Sequence, residues 1–146
     1  MILAVLLFFL CVLSWQDYKE RMIYNVMPII GGIIGLICNY FVGNFNNAFI
    51  GLCFGFVVLF VIYFAVLKIK KIEAIGFGDV LASAMIGAFL GLSETYLCLC
   101  FGFCLGFLFC FLFKKKKVAL IPFFTFGVII TQILGVFYEI HVFNFG

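Results

Sequence analysis

Residues 48–79 read AFIGLCFGFVVLFVIYFAVLKIKKIEAIGFGD. The run from Ala48 to Leu67 carries no charge, and as a helix it would measure about 30 Å, the hydrocarbon thickness of a bilayer. Lys68, Lys70 and Lys71 then stop it. Basic residues clustered beside an apolar span mark the cytoplasmic side of a membrane. The stretch ends on Gly76-Phe77-Gly78-Asp79, which sets an acid at the foot of the next apolar run.

The same alternation extends in both directions. Six apolar stretches can be marked off, at about 1–16, 26–42, 48–67, 80–92, 96–113 and 118–138. The third, fifth and sixth are long enough to qualify as spans unaided. All nine basic residues fall in alternate connections: Lys19 and Arg21 after the first span, Lys68, Lys70 and Lys71 after the third, and Lys114 to Lys117 after the fifth. The connections Gly43 to Asn47 and Ser93 to Thr95 carry none, nor do the residues after Tyr138. This pattern predicts an all-α membrane protein, a polytopic bundle of six transmembrane helices forming a single domain over residues 1–146. Both termini would lie outside, with the three basic loops in the cytoplasm.

Composition points the same way. The chain is 68% hydrophobic, has a mean hydropathy of +1.38 and is only 10% charged, against about 25% for soluble domains. A water-soluble fold of this size is thereby excluded. The lipid bilayer is the expected surrounding, and the net charge of +3 reads as a topology signal and not as a nucleic-acid footprint. Met1 to Trp15 has neither a basic start nor a small-residue cleavage site, so a retained first span is expected. The run from Val80 to Leu92 gives a helix of only about 20 Å. A helix that borrows residues on the cytoplasmic side brings Asp79 to the membrane surface, and the same holds for Asp17 after the first short run.

Little other chemistry is available. The seven cysteines, Cys11, Cys38, Cys53, Cys98, Cys100, Cys104 and Cys110, all lie inside apolar runs and read as free thiols packed as small hydrophobes. Cys98-x-Cys100-x3-Cys104 lacks nearby histidines, so neither a metal site nor a cofactor is expected. His141, the one histidine, falls on the opposite side from the acidic loops, which removes Ser-His and Cys-His chemistry there. Walker, dinucleotide-binding and HExxH patterns are missing.

What remains is acid. Four of the six acidic residues, Asp17, Glu20, Glu73 and Asp79, lie in the first two cytoplasmic loops. One reading is that they balance neighbouring Lys and Arg; the other is that an acid placed near a bilayer has a job. Gly76 and Gly78 permit positive φ and close approach of a backbone, an edge along which an extended peptide could add as a strand. Gly-x-Gly-Asp fits an acid at a helix start equally well. Two carboxyls sharing one water would form an aspartic-protease dyad, one acting as base on the water and the other, protonated, donating to the scissile carbonyl. Asp17 follows the C-terminal end of one helix and Asp79 opens another, so helix dipoles alone make Asp79 the ionised partner and Asp17 the proton holder.

In these motifs the chain resembles the type IV prepilin peptidase family, membrane aspartic proteases that remove leader peptides from prepilins and pseudopilins. The family's first motif is an Asp followed six residues later by Ile-Pro-Asn; here it reads Asp17-Tyr-Lys-Glu-Arg-Met-Ile23-Tyr24-Asn25. The second is GxGD preceded by Glu-Ala, here Glu73-Ala74-Ile75-Gly76-Phe77-Gly78-Asp79. Gly87-Ala88-Phe89-Leu90-Gly91 and Ile121-Pro122-Phe123 also match the family in order. Tyr24 stands where the family has Pro, and Leu81 where it has Lys. The resemblance is to the short, peptidase-only form without the N-terminal methyltransferase region. It implies catalytic Asp17 and Asp79 and a prepilin or pseudopilin substrate cut at the cytoplasmic face of the inner membrane. Glu20 and Glu73 would pair with a basic leader or else screen Arg21 and Lys71. Asn25 and Ser83 would give polar support, while Tyr24 and Phe77 would pack. Other GxGD membrane proteases, an archaeal preflagellin-type peptidase among them, and a non-catalytic membrane scaffold for pilus or secretion assembly are the competing readings.

Overall fold

The computed structural model describes residues 2–20, 25–70, 76–113 and 120–145. They form six helices: α1 (Ile2–Glu20), α2 (Val26–Val42), α3 (Phe45–Lys70), α4 (Phe77–Leu90), α5 (Leu92–Phe113) and α6 (Ile121–Phe145). Among the described residues there is no strand. α2 covers the second apolar run residue for residue; α1, α3 and α5 run past an apolar edge because backbone hydrogen bonding does not stop where hydropathy does, while α4 begins before its run and ends short of it, at Leu90. α6 continues to Phe145, so the residues read as a tail after Tyr138 are helical. α3 over Phe45–Lys68 and α5 over Leu92–Phe109 are long and apolar enough to cross a membrane; α1, α2, α4 and α6 contain shorter apolar stretches. The sixth predicted run, from 118, begins outside the described residues.

The shortest helix is the most enclosed. α4 packs against α3, α2, α5 and α1, and residues 78–80 and 82–89 are buried. Small residues make this possible. Gly51 and Gly55 on α3 face Ser83, Gly87 and Gly91 along α4: a Cβ added to Gly51 would sit 2.5 Å from the Gly87 carbonyl oxygen and 2.6 Å from the Gly91 carbonyl carbon. Spacing small residues four apart lets two backbones touch, which drives helix association where apolar side chains gain nothing over lipid. The Ser83 hydroxyl lies 2.8 Å from the Gly55 carbonyl across the same seam.

Both ends of α4 are satisfied by specific groups. At its C-terminus Gly91 takes φ +81°, a left-handed value suited to glycine, and turns the chain directly into α5. The Asn39 amide, reaching across from α2, donates to the carbonyls of Ala88 at 2.9 Å and Phe89 at 3.1 Å. Without it, those last carbonyls would be stranded in an apolar interior.

Outside, aromatic and aliphatic side chains including Phe8, Phe41, Phe64, Phe107 and Phe111 are exposed. Of the cysteines with described side chains, Cys98 is buried, Cys38 half-buried, and Cys11, Cys53, Cys100 and Cys104 exposed. All six are free thiols, as expected, and they spread over several faces because a helix apolar all round has no face that sequence can single out. The side chain of Cys110 lies outside the described residues.

Candidate functional site

Asp17 extends the buried stripe of α1 that contains Leu6, Leu10 and Leu13, at helical spacing. Its depth follows from that register. The carboxylate Oδ2 accepts a hydrogen bond from the Ile121 N–H, 3.4 Å away, at the first residue of α6. Pro122 stands in that first turn, where its missing N–H leaves no bond unmade. Ile121 therefore offers an orphan helix-start donor, and a side chain of another helix takes it.

Asp79 is the third residue of α4. Its Oδ2 accepts from the Gly76 N–H at 3.2 Å, and its own N–H donates to the Gly76 carbonyl at 3.1 Å. These two bonds engage the N–H and the carbonyl of Gly76 in the start of α4. Gly76 has φ −77° and ψ 147°, an extended conformation open to any residue, and Gly78 is buried within the first turn of α4. The Phe77 ring packs edge-on against Tyr63 of α3, with centroids 6.2 Å apart.

Asp17 and Asp79, distant in the chain, thus come to one end of the bundle, because α1 packs on α4 and α6. They are 8% and 7% exposed, so neither has bulk water to stabilise its charge. Both acids flank the apolar runs 1–16 and 80–92. Burial raises Asp17, while the N–H groups of Ile121 and Leu120 oppose the rise. Asp79 is pushed up to about 7, first by burial and then by the charge of Asp17, against the Gly76 N–H. Among the described residues no lysine or arginine contributes to either shift. The order that helix dipoles alone suggest is not the one these surroundings favour: the charge of Asp17 raises Asp79, so Asp79 is the member that holds a proton more readily. The reason is that Asp17 sits at the end of its own helix but faces the start of α6, whose dipole has the favourable sign.

The Oδ1 of Asp79 is buried and has no hydrogen-bond partner among the described residues, and the same is true of Gln16 Oε1, next to Asp17. An orphaned acceptor is costly to bury, and here both adjoin the acids. Among the described residues no group of three His, Cys, Asp or Glu side chains forms a metal site.

The other predicted residues separate. Asn25 is exposed ahead of α2 and makes no side-chain cap bond. Ser83 is fully buried and joins α4 to α3. Glu73, Tyr24 and the side chain of Glu20 lie outside the described residues. Leu81 lines an apolar groove of about 220 Å³ between α2, α3 and α4, together with Pro28, Gly32, Phe56 and Met85.

Sequence reasoning missed the Ile121 N–H, because a backbone donor leaves no side-chain motif. Pro122 was the available signal of a helix start.

The family model described as type IV leader peptidase matches residues 4–111. No curated protein and no solved structure matches the chain.

Proposed function

Because the chain belongs to the type IV leader peptidase family, we propose that it is a membrane aspartic endopeptidase that removes the leader of a prepilin or pseudopilin. Asp17 and Asp79 form its dyad at the cytoplasmic face, and six helices cross the membrane with both termini outside. The observation that carries this reading is the burial of both acids at one end of the bundle, where the charge of Asp17 raises Asp79.

In the reaction, ionised Asp17 takes a proton from water as the oxygen attacks the scissile carbonyl. Asp79 gives its proton to the carbonyl oxygen, which becomes the hydroxyl of a tetrahedral diol. As that intermediate collapses, the carbon–nitrogen bond breaks, Asp17 protonates the leaving amine and Asp79 recovers its proton. The carboxyls exchange nothing with solvent over the cycle. A site at the membrane edge suits a substrate whose basic leader stays in the cytosol while its apolar helix remains in lipid.

Leader removal from a co-expressed model prepilin tests this. Asp17→Asn and Asp79→Asn should each reduce processing by about 100-fold to 10,000-fold. Processing that survives either substitution removes the dyad, and a wild-type chain inactive on every prepilin offered would favour the scaffold reading.

A further inference from the structure

The contact between α1 and α6 beside Asp17 contains a short chain of polar groups set in apolar surroundings. Ser14 lies three residues before Asp17, on the same face of α1, with its hydroxyl 3.0 Å from that of Thr125 on α6. Thr125 donates to the Ile121 carbonyl at 3.0 Å. Its single proton is thereby used, so Ser14 is the donor between the two hydroxyls. The N–H of the same Ile121 reaches Asp17 Oδ2 at 3.4 Å. α1 and the first turn of α6 are thus tied at two points one helical turn apart, and the second point is a carboxylate on a helix start.

We propose that Ser14 and Thr125 are positioning residues that hold the N-terminus of α6 against Asp17 and keep Asp17 the anionic member of the acid pair. For its effect on catalysis this rests on the aspartic-protease reading; for the titration of Asp17 it does not. The Ile121 contact is already long for a hydrogen bond, so a small withdrawal of α6 breaks it. No other described group offsets the loss: on α1 itself Lys19 is exposed and contributes nothing to the shift, α4 brings Asp79, whose charge opposes that of Asp17, the start of α6 and the residue before it bring the Ile121 and Leu120 N–H groups, and α2 contains no Asp, Glu, His, Lys or Arg.

Asp17 and Asp79 are the only two aspartates in the chain, so carbon-13 labelling of aspartate isolates them for infrared titration of the full-length protein in lipid. Ser14→Ala and Thr125→Val should each raise the Asp17 midpoint by about half a unit to one unit. Thr125→Ser, which keeps the hydroxyl, should restore it. The acidic limb of the kcat profile should move by the same amount with KM unchanged, lowering kcat about threefold to tenfold on that limb. An unmoved Asp17 midpoint in both folded variants overturns the proposal. So does a loss of activity equal at every pH, which would make the hydroxyls merely structural. A wild-type chain that cuts no prepilin defeats the protease reading alone, because the Asp17 titration still decides this one.

Discussion

Asp79 shows how burial and a like charge set one residue's behaviour. Burial and the charge of Asp17 push its carboxyl up from 3.8 to about 7, so processing should decline as pH rises through about 7 and the general acid loses its proton. It should also decline at low pH, as Asp17 gains one. Asp17→Asn removes the neighbouring charge and should lower the Asp79 midpoint, readable in the carboxyl stretch of labelled protein. Stability follows the same proton. The folded state retains it where the unfolded state has released it, so this group's contribution declines as pH rises from 3.8 toward about 7. Asp79→Asn should therefore stabilise the protein by roughly 1–3 kcal/mol above pH 7, and give no gain below about pH 4, in thermal unfolding. A stabilisation independent of pH would contradict the protonation state assigned here.

At the scale of the helices, α4 depends on residues that are not its own. Gly51 of α3 leaves no room for a Cβ beside Gly87 and Gly91, so Gly51→Val should cost about 1–3 kcal/mol by overpacking. Gly135 on α6 has nothing within 4 Å of the corresponding position, and Gly135→Ala should be neutral or gain up to about 1 kcal/mol. Thermal unfolding of the two variants in one detergent separates packing from a general intolerance of glycine replacement. Asn39→Leu should lose about 1–3 kcal/mol by stranding the carbonyls of Ala88 and Phe89. Because α4 carries Asp79 at its other end, this variant tests whether loosening one end of the helix reaches the acid. If it does, leader removal falls with stability; if α4 moves as a rigid rod, processing persists in the folded fraction.

For the whole molecule, the proposed topology sets the short polar turns and the basic loops on opposite sides of the bilayer. In a cysteine-free background, Asn44→Cys and Lys68→Cys should react with a membrane-impermeant thiol reagent from opposite sides; labelling from the same side would remove one crossing. The helices themselves were legible in sequence because their signals are local: a run of apolar residues and the charges that end it need no knowledge of neighbours. The positions of Asp17 and Asp79 at run ends followed by the same logic. Lateral order is another matter. A helix apolar on every side gives no clue to which face meets protein, so the exposed cysteines and the glycine seam between α3 and α4 emerged only when the helices were assembled. Sequence by itself determined which segments are helical and where along them the acids fall. Tertiary structure decided which acid holds a proton more readily, because field and solvation depend on what lies across a helix interface. Here that is the start of α6 on Asp17 and the charge of Asp17 on Asp79.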